Sequence, residues 1–361
     1  MKLRTKKATM TNKERVEALL RREKPDRVPF AGGGGGFAML YSGFSLTDQY
    51  TKPAKVVYEA ERKTCQEFDW VFTPSLGVRD GNQRGVFGSA VSLPSNRYSM
   101  APFVVKYVVE TVDDIKALKI PDIKTLYSPE MVDFYKLSCQ DEDDNKPWNV
   151  TFTCLRVANL AGDIAGMERV CKWMIKNPEA VHRLLRLTAD YNIATAQYVR
   201  GIFGVERVLP SGPTAVVSNQ LVSPKHFEQF ALPIQQEVHQ KVLAMGFKHL
   251  SIHICGEQNL NLPYWQQIPI GDPGFVSVGN EIDLETLAQY FPNDIIEGNL
   301  DTTIIQCGTP EEVYQAAGKV IEQGKNLSNG FILKPACQLP PRAPVENMRA
   351  ITRALNDFGW Y

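Results

Sequence analysis

The chain has 361 residues, 43% hydrophobic and 22% charged, and its forty Lys plus Arg are matched by forty Asp plus Glu, a balance that argues against a nucleic-acid or basic membrane-surface binder. No run of about eighteen apolar residues occurs and no apolar stretch follows the basic N-terminus, so neither a transmembrane helix nor a secretory signal is expected. Seven cysteines without framework spacing favour a reducing compartment, the cytoplasm, and free or metal-bound thiols over a disulfide scaffold.

Thr11-Asn-Lys-Glu14 reads as a capping box that opens a helix, stopped by Lys24-Pro25. A strand is expected at 28–32, running into five consecutive glycines at 32–36. A helix at 54–68 and a strand at 69–73 follow. Residues 75–147 are too long for a simple crossover and read as an insertion after the second strand. The insertion should hold extended segments and one or two short helices covering one end of the fold, with Asp141-Glu-Asp-Asp144 as a solvated loop. Further strands are expected at 149–154, 207–211, 249–255, 274–278, 294–299 and 330–335. Between them lie helical periods at 178–203, 224–245, 284–290 and 310–323, and a helix at 345–358 closes the chain.

Eight short strands with intervening helices, and no early G-x-G-x-x-G signature, predict an α/β fold of the (β/α)8 TIM-barrel type, one domain over 1–361. Such barrels place their chemistry at the C-terminal ends of the strands. One segment there stands out. In Leu250-Ser-Ile-His-Ile-Cys-Gly256, residues two apart share a strand face, so His253 and Cys255 converge near the strand end, and Gly256 permits a sharp turn. Cys337 follows the last strand on the same rim. One imidazole and two thiolates suit zinc, and three protein ligands leave a fourth position for a substrate atom. A His-x-Cys pair alone is more often core than ligand, because Cys packs as a small hydrophobe. The third candidate on another strand tips the geometry toward metal.

Asp301 follows a strand and reads either as a carboxylate that orients a substrate or a zinc-bound imidazole, or as an N-cap. Glu257, Gln258 and Asn259 reach toward the metal's open position or cap the next helix. Cys154 ends an apolar strand and reads best as a core thiol. His249, four positions before His253, should sit a layer below it. The glycines are not a Walker loop, because no Lys-Ser/Thr follows them.

These segments, with Lys24-Pro-Asp-Arg-Val-Pro29, Leu221-Val-Ser-Pro-Lys-His-Phe-Glu-Gln-Phe-Ala-Leu-Pro233, Gly298-Asn-Leu-Asp301 and Pro344-Val-Glu-Asn347, resemble the uroporphyrinogen decarboxylase superfamily, specifically its cobalamin-dependent methyltransferase branch. The resemblance implies a barrel enzyme whose His253, Cys255 and Cys337 bind zinc. It also implies methyl transfer between a corrinoid protein and a thiol or a methoxylated small molecule. This chain lacks the Asp-x-His-x-x-Gly signature of corrinoid carriers, so the corrinoid should arrive on a separate partner protein. The bare backbone at Gly33 and Gly34 would leave room for it; a simple flexible loop is the other reading. The decarboxylases carry an Arg-Gln-Ala-Gly-Arg segment after the first strand, where this chain has Phe30-Ala-Gly-Gly-Gly-Gly-Gly-Phe37, which argues against porphyrinogen decarboxylation. Where the methyltransferase relatives often carry acidic residues after Ser277-Val278, Gly279-Asn280 stand here and Glu281 comes next. Glu281 and Asp301 are therefore the candidate catalytic carboxylates. A non-catalytic barrel that binds a corrinoid partner is the rival from a different class.

Overall fold

The computed structural model describes residues 8–78, 83–95 and 100–361. The capping box forms as read: Thr11 Oγ1 accepts from Glu14 N, and the Glu14 carboxylate accepts from Thr11 N at 2.7 Å, opening the helix Asn12–Leu20. This helix lies under the barrel. Its Val16 and Leu19 pack with Ala31, Val71, Leu209, Phe275 and Ile332 in a cluster distinct from the main core.

Seven parallel strands run in the order β1 (Ser75–Leu76), β4 (Val150–Thr153), β5 (Val208–Pro213), β6 (Ser251–Ile254), β7 (Phe275–Val278), β8 (Ile295–Leu300) and β9 (Phe331–Pro335). The antiparallel pair β2 (Ala90–Ser92) and β3 (Phe103–Lys106) stands apart. Residues 29–31 supply the eighth stave. Phe30 bridges Leu333 of β9 in parallel, with Ala31 N→Leu333 O and Leu333 N→Pro29 O both at 2.9 Å. On the other side Val71 N donates to Phe30 O at 2.8 Å, and the chain from there runs into β1. The ring is thus closed by backbone hydrogen bonds. Each expected strand has its counterpart, although on the second stave the regular pairing falls at Ser75–Leu76 rather than at 69–73.

The helices Ala54–Phe68, Pro178–Phe203, Leu284–Tyr290 and Val345–Phe358 match the sequence reading, and 310–323 extends to Pro310–Lys325. The period at 224–245 breaks into Pro224–His226, a π-helical turn Phe227–Ala231 and Leu232–Ala244. Pro233 lacks the N–H that an unbroken α-ladder needs, and the wider turn absorbs the loss. Several helices were not expected from sequence, among them Val157–Ala165, Met167–Lys176, Thr302–Cys307 and Gly35–Tyr41. Val157–Ala165 is buried along most of its length, and its polar positions Asn159 and Asp163 are themselves turned to protein partners. Gly35–Tyr41 was hidden by the glycines, and burial of Phe37, Ala38 and Met39 holds it.

Within 75–147 the described residues form the β2–β3 hairpin and three short helices, Asp114–Ala117, Ile123–Leu126 and Pro129–Ser138, one more than expected. Residues 79–82 and 96–99 of this segment lie outside the described part. The hairpin is tied to the helix that follows β4 by Ser89 Oγ→Asp163 O at 2.8 Å and Val109 N→Ile164 O at 3.2 Å. The acidic run is not simply a solvated loop: Asp143 is buried and accepts from Arg62 at 2.9 Å and Gln66 at 2.8 Å.

Candidate metal centre

Strand alternation places Ser251 and His253 on the inner face of β6, with Ile252 and Ile254 fully buried against the helices. Just past β6 the chain turns at Gly256, whose φ of +76° suits glycine. The turn is pinned from below. Gln258, fully buried, donates to both Thr214 O and Cys255 O at 3.0 Å and accepts from Trp265 Nε1 at 2.7 Å. Cys337 arrives from the loop after β9, whose Ala336 N is bonded to Leu300 O at 2.8 Å.

The ligating atoms of His253, Cys255 and Cys337 lie within 4.8 Å of one another. The two sulfurs are 3.7 Å apart. His253 Nδ1 is 3.0 Å from Ser277 Oγ, whereas its Nε2 is buried and has no hydrogen-bond partner. A buried ring nitrogen without a partner is costly unless something ligates it. One nitrogen and two sulfurs converging this closely are a donor set that fits zinc. Contact between the two thiols draws Cys337 well below the ordinary thiol range, while the same contact and burial push Cys255 far up. Such a pair gives up its first proton readily, as a metal site requires.

The other residues singled out from sequence have definite places. Glu281 folds its carboxylate back over Gly279, where a β-carbon would collide with it, and its charge bears on Cys255. Asp301 takes the capping role: it accepts from Thr303 N at 2.6 Å and from Asn280 Nδ2 at 3.2 Å. The second nitrogen of His253 is therefore held by Ser277 and not by Asp301. Asn299 instead braces the loop that carries Glu281, donating to Gly279 O at 3.0 Å and Ile282 O at 2.8 Å. Glu257 caps Asn259 N at 2.8 Å. Gly33, at φ +64° with open space where a side chain would stand, borders the barrel chamber, while Gly34 packs on Ala38 and Glu61. Cys154 is fully buried core, and His249 lies lower, bonded to Pro273 O at 2.7 Å and packed by Trp148 and Phe275.

Sequence reasoning missed Ser277 and Lys334. Both face the barrel interior. Ser277 is the register partner of His253. Lys334 pairs with Glu297 at 2.8 Å on a chamber of about 200 Å³ that Thr73, Thr151, Ser211 and Ser251 also line. The period-2 pattern of each strand was the available signal, because a polar residue on an inward position of a barrel strand faces the chamber.

The sequence profile of the uroporphyrinogen decarboxylase (URO-D) family matches residues 11–358. The chain belongs to this family. Among curated proteins it is 25% identical over 358 residues to the methylcobamide:CoM methyltransferase MtbA of Methanosarcina acetivorans, covering 96% of this chain and 98% of that one. It is 28% identical over 200 residues to a methylated-thiol–coenzyme M methyltransferase of Methanosarcina mazei, a match over 55% of this chain that spans half the length of that relative. A solved methyltransferase structure from Methanosarcina mazei superposes with a TM-score of 0.77 at 18% identity, covering 97% of this chain and 99% of that one. That likeness establishes the fold. Among the described residues no helix is long and apolar enough to cross a membrane.

Proposed function

We propose that this family member is a zinc-dependent methyltransferase that moves a methyl group between a corrinoid held by a separate protein and a small thiol. The observation that carries the reading is the convergence of His253, Cys255 and Cys337 within 4.8 Å, with His253 Nε2 buried and without a hydrogen-bond partner. Named activities of the relatives, methylcobamide:CoM and methylated-thiol–coenzyme M methyl transfer, support it.

His253, Cys255 and Cys337 would hold the metal. Bound there, zinc supplies positive charge that favours the thiolate form of a substrate sulfur at neutral pH. The chain's own residues do the rest. Gln258 keeps the Cys255 turn rigid, Asn299 fixes the loop bearing Glu281, and the chamber beneath offers hydroxyls and the Lys334 ammonium to a small polar substrate. Gly33 puts no side chain where it borders the chamber. The single domain over 1–361 and a corrinoid-protein partner above the strand ends belong to the same proposal, as does a cytoplasmic setting.

The test is methyl transfer from free methylcobalamin to 2-mercaptoethanesulfonate, followed by the visible spectrum of the corrinoid. Zinc-loaded protein should accelerate demethylation over the uncatalysed rate, and a Cys337→Ala variant should not. If no thiol of a panel with neutral, anionic and cationic tails is methylated, with methylcobalamin or with corrinoid protein, the enzyme reading gives way to a corrinoid-partner binding barrel. A methoxylated aromatic that is demethylated instead would keep the metal and reverse the direction.

A further inference from the structure

Ser277 and His253 are register partners in the parallel ladder of β6 and β7, so their side chains emerge from neighbouring strands at one level. Ser277 is 1% exposed. Its Oγ lies 3.2 Å from Ile252 O and 3.0 Å from His253 Nδ1. A carbonyl only accepts, and a hydroxyl has one proton to give. With that proton on Ile252 O, Ser277 Oγ meets the imidazole as an acceptor. Nδ1 must then carry the ring's hydrogen, and Nε2 keeps its lone pair. Nε2 is the buried atom without a hydrogen-bond partner, and the ring stands within 4.8 Å, ligand atom to ligand atom, of Cys255 and Cys337.

We infer that Ser277 is a positioning residue: it holds His253 in the Nδ1–H tautomer and so leaves the Nε2 lone pair for the metal. The inference rests on the metal reading above. The nearby carboxylates are committed elsewhere. Glu297, which pairs in register with Ser277, is engaged by Lys334, and Asp301 caps a helix. A metal-binding histidine is normally steered by an acceptor on its other nitrogen, and loss of that acceptor typically weakens the metal about 10- to 100-fold.

Zinc affinity, measured by competition with a chromophoric chelator, should fall by about that factor in Ser277→Ala and recover in Ser277→Thr, which keeps the hydroxyl. Nitrogen-15 histidine shifts of the metal-free chain give a second readout that does not pass through zinc. The wild-type spectrum should show His253 protonated on Nδ1, and Ser277→Ala should shift toward a mixture of tautomers. Unchanged zinc affinity in Ser277→Ala, no recovery in Ser277→Thr, or an Nε2-protonated His253 in the wild type would overturn the inference. A wild-type chain that takes up no zinc would instead refute the metal reading, and the nitrogen shifts would still decide the tautomer.

Discussion

Cys255 and Cys337 are 82 positions apart in the chain, and their sulfurs lie 3.7 Å from each other at the mouth of the barrel. Two strands separate β6 from β9 in the ring, so the contact depends on both loops turning inward, one at Gly256 and the other after Pro335. Removing either thiol should abolish tight zinc binding. Because both sit on rim loops outside the core clusters, Cys337→Ala should retain the wild-type far-UV circular dichroism and lose most of its metal by elemental analysis. A variant that keeps one zinc per chain would remove Cys337 from the ligand set.

The lower end of the barrel is held by charge. Arg27, 1% exposed, bonds Asp69 at 2.8 Å, and Asn12 donates to the same carboxylate at 3.0 Å. Asp69 has φ +59°, a conformation asparagine also tolerates. Asp69→Asn therefore removes the charge without new backbone strain. Removing the partner of a buried guanidinium outright costs about 3–5 kcal/mol. Because asparagine keeps an acceptor oxygen and Arg27 also bonds Asn356, urea unfolding should report a smaller loss that still exceeds about 1 kcal/mol. A loss under about 1 kcal/mol would mean that the network is not a net anchor.

Glu61 sits under the glycine loop, partly exposed as a residue, but its carboxyl is enclosed beside Gly34 and the Gly35 N–H. Burial pushes its pKa up to about 7. The folded chain thus holds a proton that the unfolded chain releases at lower pH. This contribution to stability is full below the ordinary carboxylate range and is lost as pH rises through about 7. Glu61→Gln should melt higher than wild type at pH 8, and the two should converge toward pH 4.5. Equal melting temperatures at both ends would show that the carboxylate ionises without cost.

Uroporphyrinogen should not be decarboxylated. No arginine pair follows the first stave to hold its propionates; the glycines of 32–36 stand there instead. Coproporphyrinogen formation by the purified chain, read by porphyrin fluorescence after oxidation, would move it to the other branch of its family.

Much of this was readable before the structure. The His253-x-Cys255-Gly256 segment was legible because period-2 alternation and one glycine are local facts, and the barrel was legible because its strands and helices alternate. What escaped depended on three-dimensional neighbours. Ser277 becomes the partner of His253 only through the β6–β7 register, and the polar positions Asn159 and Asp163 of Val157–Ala165 find their partners only in the folded chain. Asp301 illustrates the limit of type-based reasoning: a carboxylate at a strand end satisfies both a capping and a catalytic description, and only the Thr303 N bond decides what it does here.

The central claim is the metal centre, and zinc K-edge absorption tests it most directly. Protein purified without chelator should carry about one zinc per chain. Its shell should contain two sulfurs at about 2.3 Å and light atoms at about 2.0–2.2 Å. Addition of 2-mercaptoethanesulfonate should raise the sulfur count to three. Metal bound with no sulfur in its shell, or no metal after zinc is supplied to reduced protein, would contradict the account.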